Sequence, residues 1–197
     1  ALGGDNFPLR DENGKLVFRP GGHGSLLKNL NSIKGDIIII KNIDNILPEM
    51  MNGSSIMHKK ALAGFFIRLR NRIYEYLRII DEKRISGAFL QEAESFCRDD
   101  LHIGMPAGFK NLNMEKKAET LFNSMNKPLR VCGMVKNEGE PGGGPFWVEE
   151  SSGMTSMQIV EGFQIDQSSE EQMSIWRSSS HFNPVDLVCG IVDYRGR

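Results

Sequence analysis

Asp36 opens the run Ile37-Ile38-Ile39-Ile40-Lys41. Four successive β-branched residues lose rotamer freedom in a helix and pack well on a pleated surface. The run is too short for an ordinary helix, and no polar residue interrupts it. Its pattern therefore predicts a strand buried on both faces, which is the habit of a parallel sheet.

Helical periodicity accounts for the middle of the chain. Leu62, Phe65, Phe66, Leu69, Ile73, Tyr76, Leu77 and Ile80 recur at threes and fours, which predicts a helix over 56–80 capped by Ser54 or Ser55. Arg68, Arg70, Arg72 and Arg78 fall on its other face, where solvation is the preferred reading. Further helices are expected near 87–100 and 114–125, joined by a Gly/Pro loop. Apolar strands are expected at 129–137, 156–166 and 183–194. Asn13-Gly14 between Phe7–Leu9 and Leu16–Phe18 predicts a small hairpin. Leu26, Leu27 and Leu30 suit a short helix with Gly24 or Ser25 near its N-cap. Ser168 and Glu171 have capping-box spacing ahead of Met173 and Trp176. The glycine- and proline-rich residues 138–153 predict a mobile or ligand-covering loop. Strand and helix signals alternate, so the expected architecture is a three-layer α/β/α fold with a mostly parallel sheet.

Composition narrows the function classes. A net charge of -1 lacks the basic excess of a nonspecific nucleic-acid binder. No apolar run is long enough for a membrane span, and no charged-then-apolar leader opens the chain, so neither a nucleic-acid nor a membrane partner is expected. Cys97, Cys132 and Cys189 have no CxxC spacing and read as free thiols of a reducing cytoplasm.

Three motifs could carry chemistry. Pro20-Gly21-Gly22-His23-Gly24 removes side-chain walls, so backbone amides can approach a flat or anionic ligand. The spacing satisfies neither a dinucleotide fingerprint nor a P-loop, and on spacing alone a tight turn is preferred. Asp44-Asn45 stands just past the isoleucine strand, where a carboxylate can hold Mg²⁺ against phosphate oxygens or simply form an Asx turn. Glu149, Glu150 and Glu161 sit near strand ends, where carboxylates are usually solvated or paired. His181 reads as a structural histidine, and Asn183 before Pro184 as a turn former.

Residues 19–49, 131–148, 157–166 and 181–190 together resemble an uncharacterised bacterial family carried as domain of unknown function 4301. A wider resemblance reaches UDP-sugar pyrophosphorylases, which are nucleotide-diphospho-sugar transferase-like proteins. Pro20–Gly24 resembles their glycine segment against the nucleobase, and Ile43-Asp44-Asn45 resembles their metal-binding turn. Val131–Val135 resembles a later glycine-bearing strand. Val160-Glu161 and Phe182-Asn183 resemble segments that face the sugar. The resemblance implies a nucleotide site at Gly22, His23 and Gly24, a Mg²⁺ ligand in Asp44, and sugar contacts from Glu161 and Asn183. It implies transfer of a nucleotidyl group from a nucleoside triphosphate to a sugar-1-phosphate, with loss of pyrophosphate. Arg19, Lys41 and Lys136 are the basic residues nearest these segments.

The triphosphate loop of that family has no counterpart, because Leu2-Gly3-Gly4 lacks its third glycine and its Thr-Arg. The expectation is therefore one nucleotidyltransferase-like domain over 1–197, a fragment without that loop. The alternatives are a non-catalytic sugar-nucleotide-binding domain and, behind it, a metal-dependent glycosyltransferase.

Overall fold

The computed structural model describes residues 7–18, 24, 27–42, 53–139 and 142–197. They fall into two compact units, Ala1–Gly35 and Asp36–Arg197.

In the first unit the expected hairpin is present. Arg10 and Leu16 form an antiparallel bridge. Asp11 Oδ1 accepts from the N–H groups of Asn13 and Lys15, both at 2.9 Å, and Gly14 turns the chain at φ 74°. Helix α1 (Leu27–Ser32) follows, with no buried residue.

The second unit is built on three helices. Helix α2 (Gly53–Asp81) buries Phe66, Leu69, Ile73, Tyr76 and Leu77, the stripe that the periodicity predicts. It ends where Lys83 adopts φ 54°, so that Arg84 N–H reaches back to Ile79 O at 2.9 Å. Helix α3 (Gly87–Asp99) starts at Ser86, whose side chain accepts from Phe89 N–H. Helix α4 (Met114–Met125) starts at Asn113, which accepts from Lys116 N–H. Their apolar faces meet in a core of Leu69, Tyr76, Leu90, Phe96, Leu121 and Met125, closed by Tyr194 from the C-terminal segment.

Among the described residues, eight short strands accompany these helices. They are β1 (Ile37–Lys41), β2 (Ile103–Gly104), β3 (Arg130–Cys132), β4 (Val135–Lys136), β5 (Gly144–Glu149), β6 (Thr155–Val160), β7 (His181–Phe182) and β8 (Asp186–Gly190). They form sheets of order β1-β8-β3, β2-β6-β5 and β4-β7. A fifth helix, α5 (Glu170–Arg177), follows β6.

Among the described residues every strand pairing is antiparallel. The expected three-layer α/β/α fold with a mostly parallel sheet is therefore wrong. The physical reason lies in which strand fills the gap. Strands β1 and β3 both run against β8, so they point the same way, and α2, α3 and α4 lie between them in sequence. That is a crossover of the parallel kind. The space between the two strands is occupied by β8, which arrives from the far end of the chain and runs the other way. The isoleucine strand is consequently an edge strand, with Ile39 56% exposed, and the fully buried member is Val188 of β8.

Helix α2 packs beneath this sheet. Gly190 permits the approach, because a Cβ there would sit 3.0 Å from Phe66 Cζ. Among the described residues no helix is long and apolar enough to cross a membrane.

Candidate functional site

The sheet β2-β6-β5 has two unlike faces. Phe146 on one face stacks on Trp176 of α5, with ring centroids 5.4 Å apart. The register places Pro145 opposite Ile159 and Trp147 opposite Met157 on the other face. That second face borders a cleft of about 530 Å³, and Phe65, Leu69 and Ile73 of α2 form the facing wall. Met125, Met134 and Met154 also line it. Their unbranched, polarisable side chains let such a wall adapt to a ligand's shape. Trp147 lies outside the lining and is 58% exposed, with the ring of His102, a lining residue, edge-on to it at 6.3 Å.

The polar rim is balanced in charge. Lys127 Nζ lies 2.7 Å from Glu150 Oε1, and both are partly exposed. Arg130 Nη2 donates to Gln158 Oε1 at 3.4 Å, and Asp100 completes the rim. Cys132 lies in the wall. Burial pushes its thiol upward while Arg130 pulls it down, so it is not a primed thiolate. Cys97 lies in the helical core, and burial pushes it to about 12.

The expected site residues are described only in part. Gly22, His23 and Asp44 lie outside the described residues, as does Arg19. Gly24 is exposed in the first unit. Glu161 and Asn183 do come together, at Gly143. The Asn183 N–H donates to Gly143 O at 2.9 Å, and a Cβ on Gly143 would meet Glu161 Oε1 at 2.8 Å. Glu161 opens the 3₁₀ turn Gly162–Gln164, where its N–H donates to Gln164 Oε1 at 2.8 Å. The Asn183 side chain is nearly buried. Its Nδ2 donates to Gly133 O at 2.7 Å, and its Oδ1 accepts from Val185 N–H at 3.0 Å. That clamp holds Val185 at φ 62°, a conformation that costs a β-branched residue about 1–3 kcal/mol. Neither Glu161 nor Asn183 lines the cleft.

Several bland expectations match the geometry. His181 Nδ1 shares a 2.9 Å hydrogen bond with Ser180 Oγ, and Glu150 is paired. The segment expected to be a loop over 138–153 is different. Gly144–Glu149 is strand β5, and its glycines admit close neighbours, with a Cβ on Gly144 falling 2.7 Å from Ser179 Oγ. The cleft itself escapes sequence reasoning, and its one visible signal is the Pro145-Phe146-Trp147-Val148 alternation. Among the described residues no three His, Cys, Asp or Glu side chains gather as a metal site. Asp44, the expected Mg²⁺ ligand, is not among them.

The model of one protein family matches residues 1–197, from end to end. The chain belongs to the family described as domain of unknown function DUF4301. No curated protein and no solved structure matches this DUF4301 chain.

Proposed function

We propose that this DUF4301 chain is a binding domain for a nucleotide sugar, and that the cleft between α2 and the β5–β6 face is the site. The observation that carries the reading is the pairing of apolar walls with a mixed polar rim. A volume of about 530 Å³ is within the range of small-molecule sites. A nucleobase has two apolar faces and polar edges. Met157 and Ile159 suit its faces, and stacking on a ring such as that of His102 is worth about 1–3 kcal/mol. Asp100 and Glu150 are acceptors suited to ribose or sugar hydroxyls, and Arg130 and Lys127 are donors suited to a diphosphate.

The test is a titration of the full chain with UDP-sugars, UTP and sugar-1-phosphates, with and without Mg²⁺, read by tryptophan fluorescence and thermal shift. UDP-sugars are expected to quench fluorescence and to stabilise the protein without Mg²⁺. His102→Ala should weaken that binding by about ten-fold. Stabilisation by UTP only with Mg²⁺, together with pyrophosphate release from a sugar-1-phosphate mixture, would replace this reading by nucleotidyl transfer. Absence of any nucleotide effect would end both.

A further inference from the structure

A second cavity, of about 320 Å³, lies between α2, the residues that follow β8 and the segment joining α4 to β3. Residues 127–129 line both this cavity and the cleft, so the two share one wall. The rest of the second cavity is its own. Phe66, Leu77 and Tyr194 supply buried apolar surface to it. Tyr74 is fixed in the same wall, because its hydroxyl donates to Val192 O. That bond ties α2 to the chain beyond β8, so the fold sets the shape of the cavity.

Among the described residues four charged side chains line it, and three of them have partners of opposite charge. Lys127 Nζ lies 2.7 Å from Glu150 Oε1. Asp193 Oδ1 accepts from the N–H groups of Arg195 and Arg197, both at 2.9 Å, and Arg197 Nη2 lies 3.7 Å from Asp193 Oδ2. Arg70 is the fourth, and among the described residues no carboxylate pairs with it. Its Nη2 makes one long hydrogen bond, to Asn71 Oδ1 at 3.4 Å. Its Nε is shielded from solvent and makes none, whereas Nη1 is neither bonded nor shielded. The guanidinium carbon lies 5.7 Å from the centroid of the Tyr74 ring, which is itself part of the wall. A half-buried guanidinium beside apolar surface is costly until an anion meets it.

We propose that this second cavity binds a small carboxylic acid with an apolar body. The carboxylate accepts from the outer nitrogens of Arg70, whose planar fork matches two oxygens. The shielded Nε is not required to reach the ligand. The body lies among Phe66, Leu77 and Tyr194, where an aromatic ring packs well. A volume of about 320 Å³ is at the lower end for small-molecule sites, which suits a compact acid rather than a nucleotide. The proposal does not rest on the nucleotide reading of the cleft.

The experiment is calorimetric titration of the full chain at neutral pH and constant ionic strength with three probes. Phenylacetate has both the carboxylate and the body, acetate lacks the body, and 2-phenylethanol lacks the charge. Phenylacetate should bind saturably, and each of the others at least about ten-fold more weakly. Arg70→Met keeps an apolar stem beside Tyr74 and removes the guanidinium. It should lower phenylacetate affinity by about ten-fold or more, and bring phenylacetate and 2-phenylethanol to within about three-fold of each other. Wild-type protein that binds no phenylacetate, or binds 2-phenylethanol or acetate as tightly, overturns the proposal without recourse to any variant. So does a folded Arg70→Met protein with wild-type phenylacetate affinity. His102→Ala should leave phenylacetate affinity unchanged, so failure of the cleft reading and failure of this one are separable.

Discussion

Glycine has opposite meanings at two positions of this chain. Gly64 lies within α2, and a Cβ built there meets nothing within 4 Å. Gly143 lies just before β5, where a Cβ would come within 2.5 Å of Ile159 Cγ2. Gly64→Ala should therefore raise stability by roughly 0.5–1 kcal/mol through helix propensity. Gly143→Ala should lower it by about 1–3 kcal/mol, because the added methyl must displace packed atoms. Denaturant midpoints of the two variants check both signs, and a stabilised Gly143→Ala protein would contradict the close approach. Composition alone cannot separate these cases. A glycine-rich stretch reads as flexible, yet Gly143 and Gly144 admit the His181–Asn183 segment and the Glu161 side chain. The same limit applies to Asn183. Its turn-forming character is plain from Asn-Pro, but its hydrogen bond to Gly133 spans fifty positions and depends on the fold.

Helices were the legible elements because their signals are local. Met114–Met125 coincides with the expected 114–125, and Asn113 supplies the cap. Asn113→Ala should cost about 1 kcal/mol, read as a lower unfolding midpoint with an unchanged denaturant slope. Helix α5 shows how a neighbour shifts a cap. Ser168 is already engaged by Asp166 Oδ1, at 2.6 Å from its hydroxyl, so Ser169 caps the helix through Gln172 N–H. Strands were legible in position and illegible in partnership. Val131 and Val188 are both plainly strand residues, but no local signal says that they pair, or in which direction. The cleft inherits that difficulty, since its walls come from α2 and from a hairpin about eighty residues later.

At the scale of the whole molecule, burial couples folding to pH. Cys97 moves from its ordinary 9.0 to about 12 through burial. Tyr76 moves from 10.0 to about 12, first through burial and then through its hydrogen bond to Glu92, with Arg72 opposing. The folded chain keeps both protons where the unfolded chain releases them. Stability contributed by these groups is complete below pH 9 and declines between about pH 9 and 12, by up to roughly 1.4 kcal/mol per pH unit for each group. Chemical denaturation at pH 8, 9.5 and 10.5 should show this decline, with a shallower slope in Tyr76→Phe. A flat profile would contradict the burial of both groups. Core periodicity makes this burial readable in outline, because Tyr76 belongs to the stripe seen in the residues alone. By itself the sequence determined where helices start and stop and which residues are apolar enough to be inside, since propensity, capping and periodicity act over a few residues. Tertiary structure alone decided that β8 enters between β1 and β3, and that Met157 and Ile159 share a cleft with α2. Those outcomes depend on contacts between residues far apart in the chain, which no short window of sequence encodes.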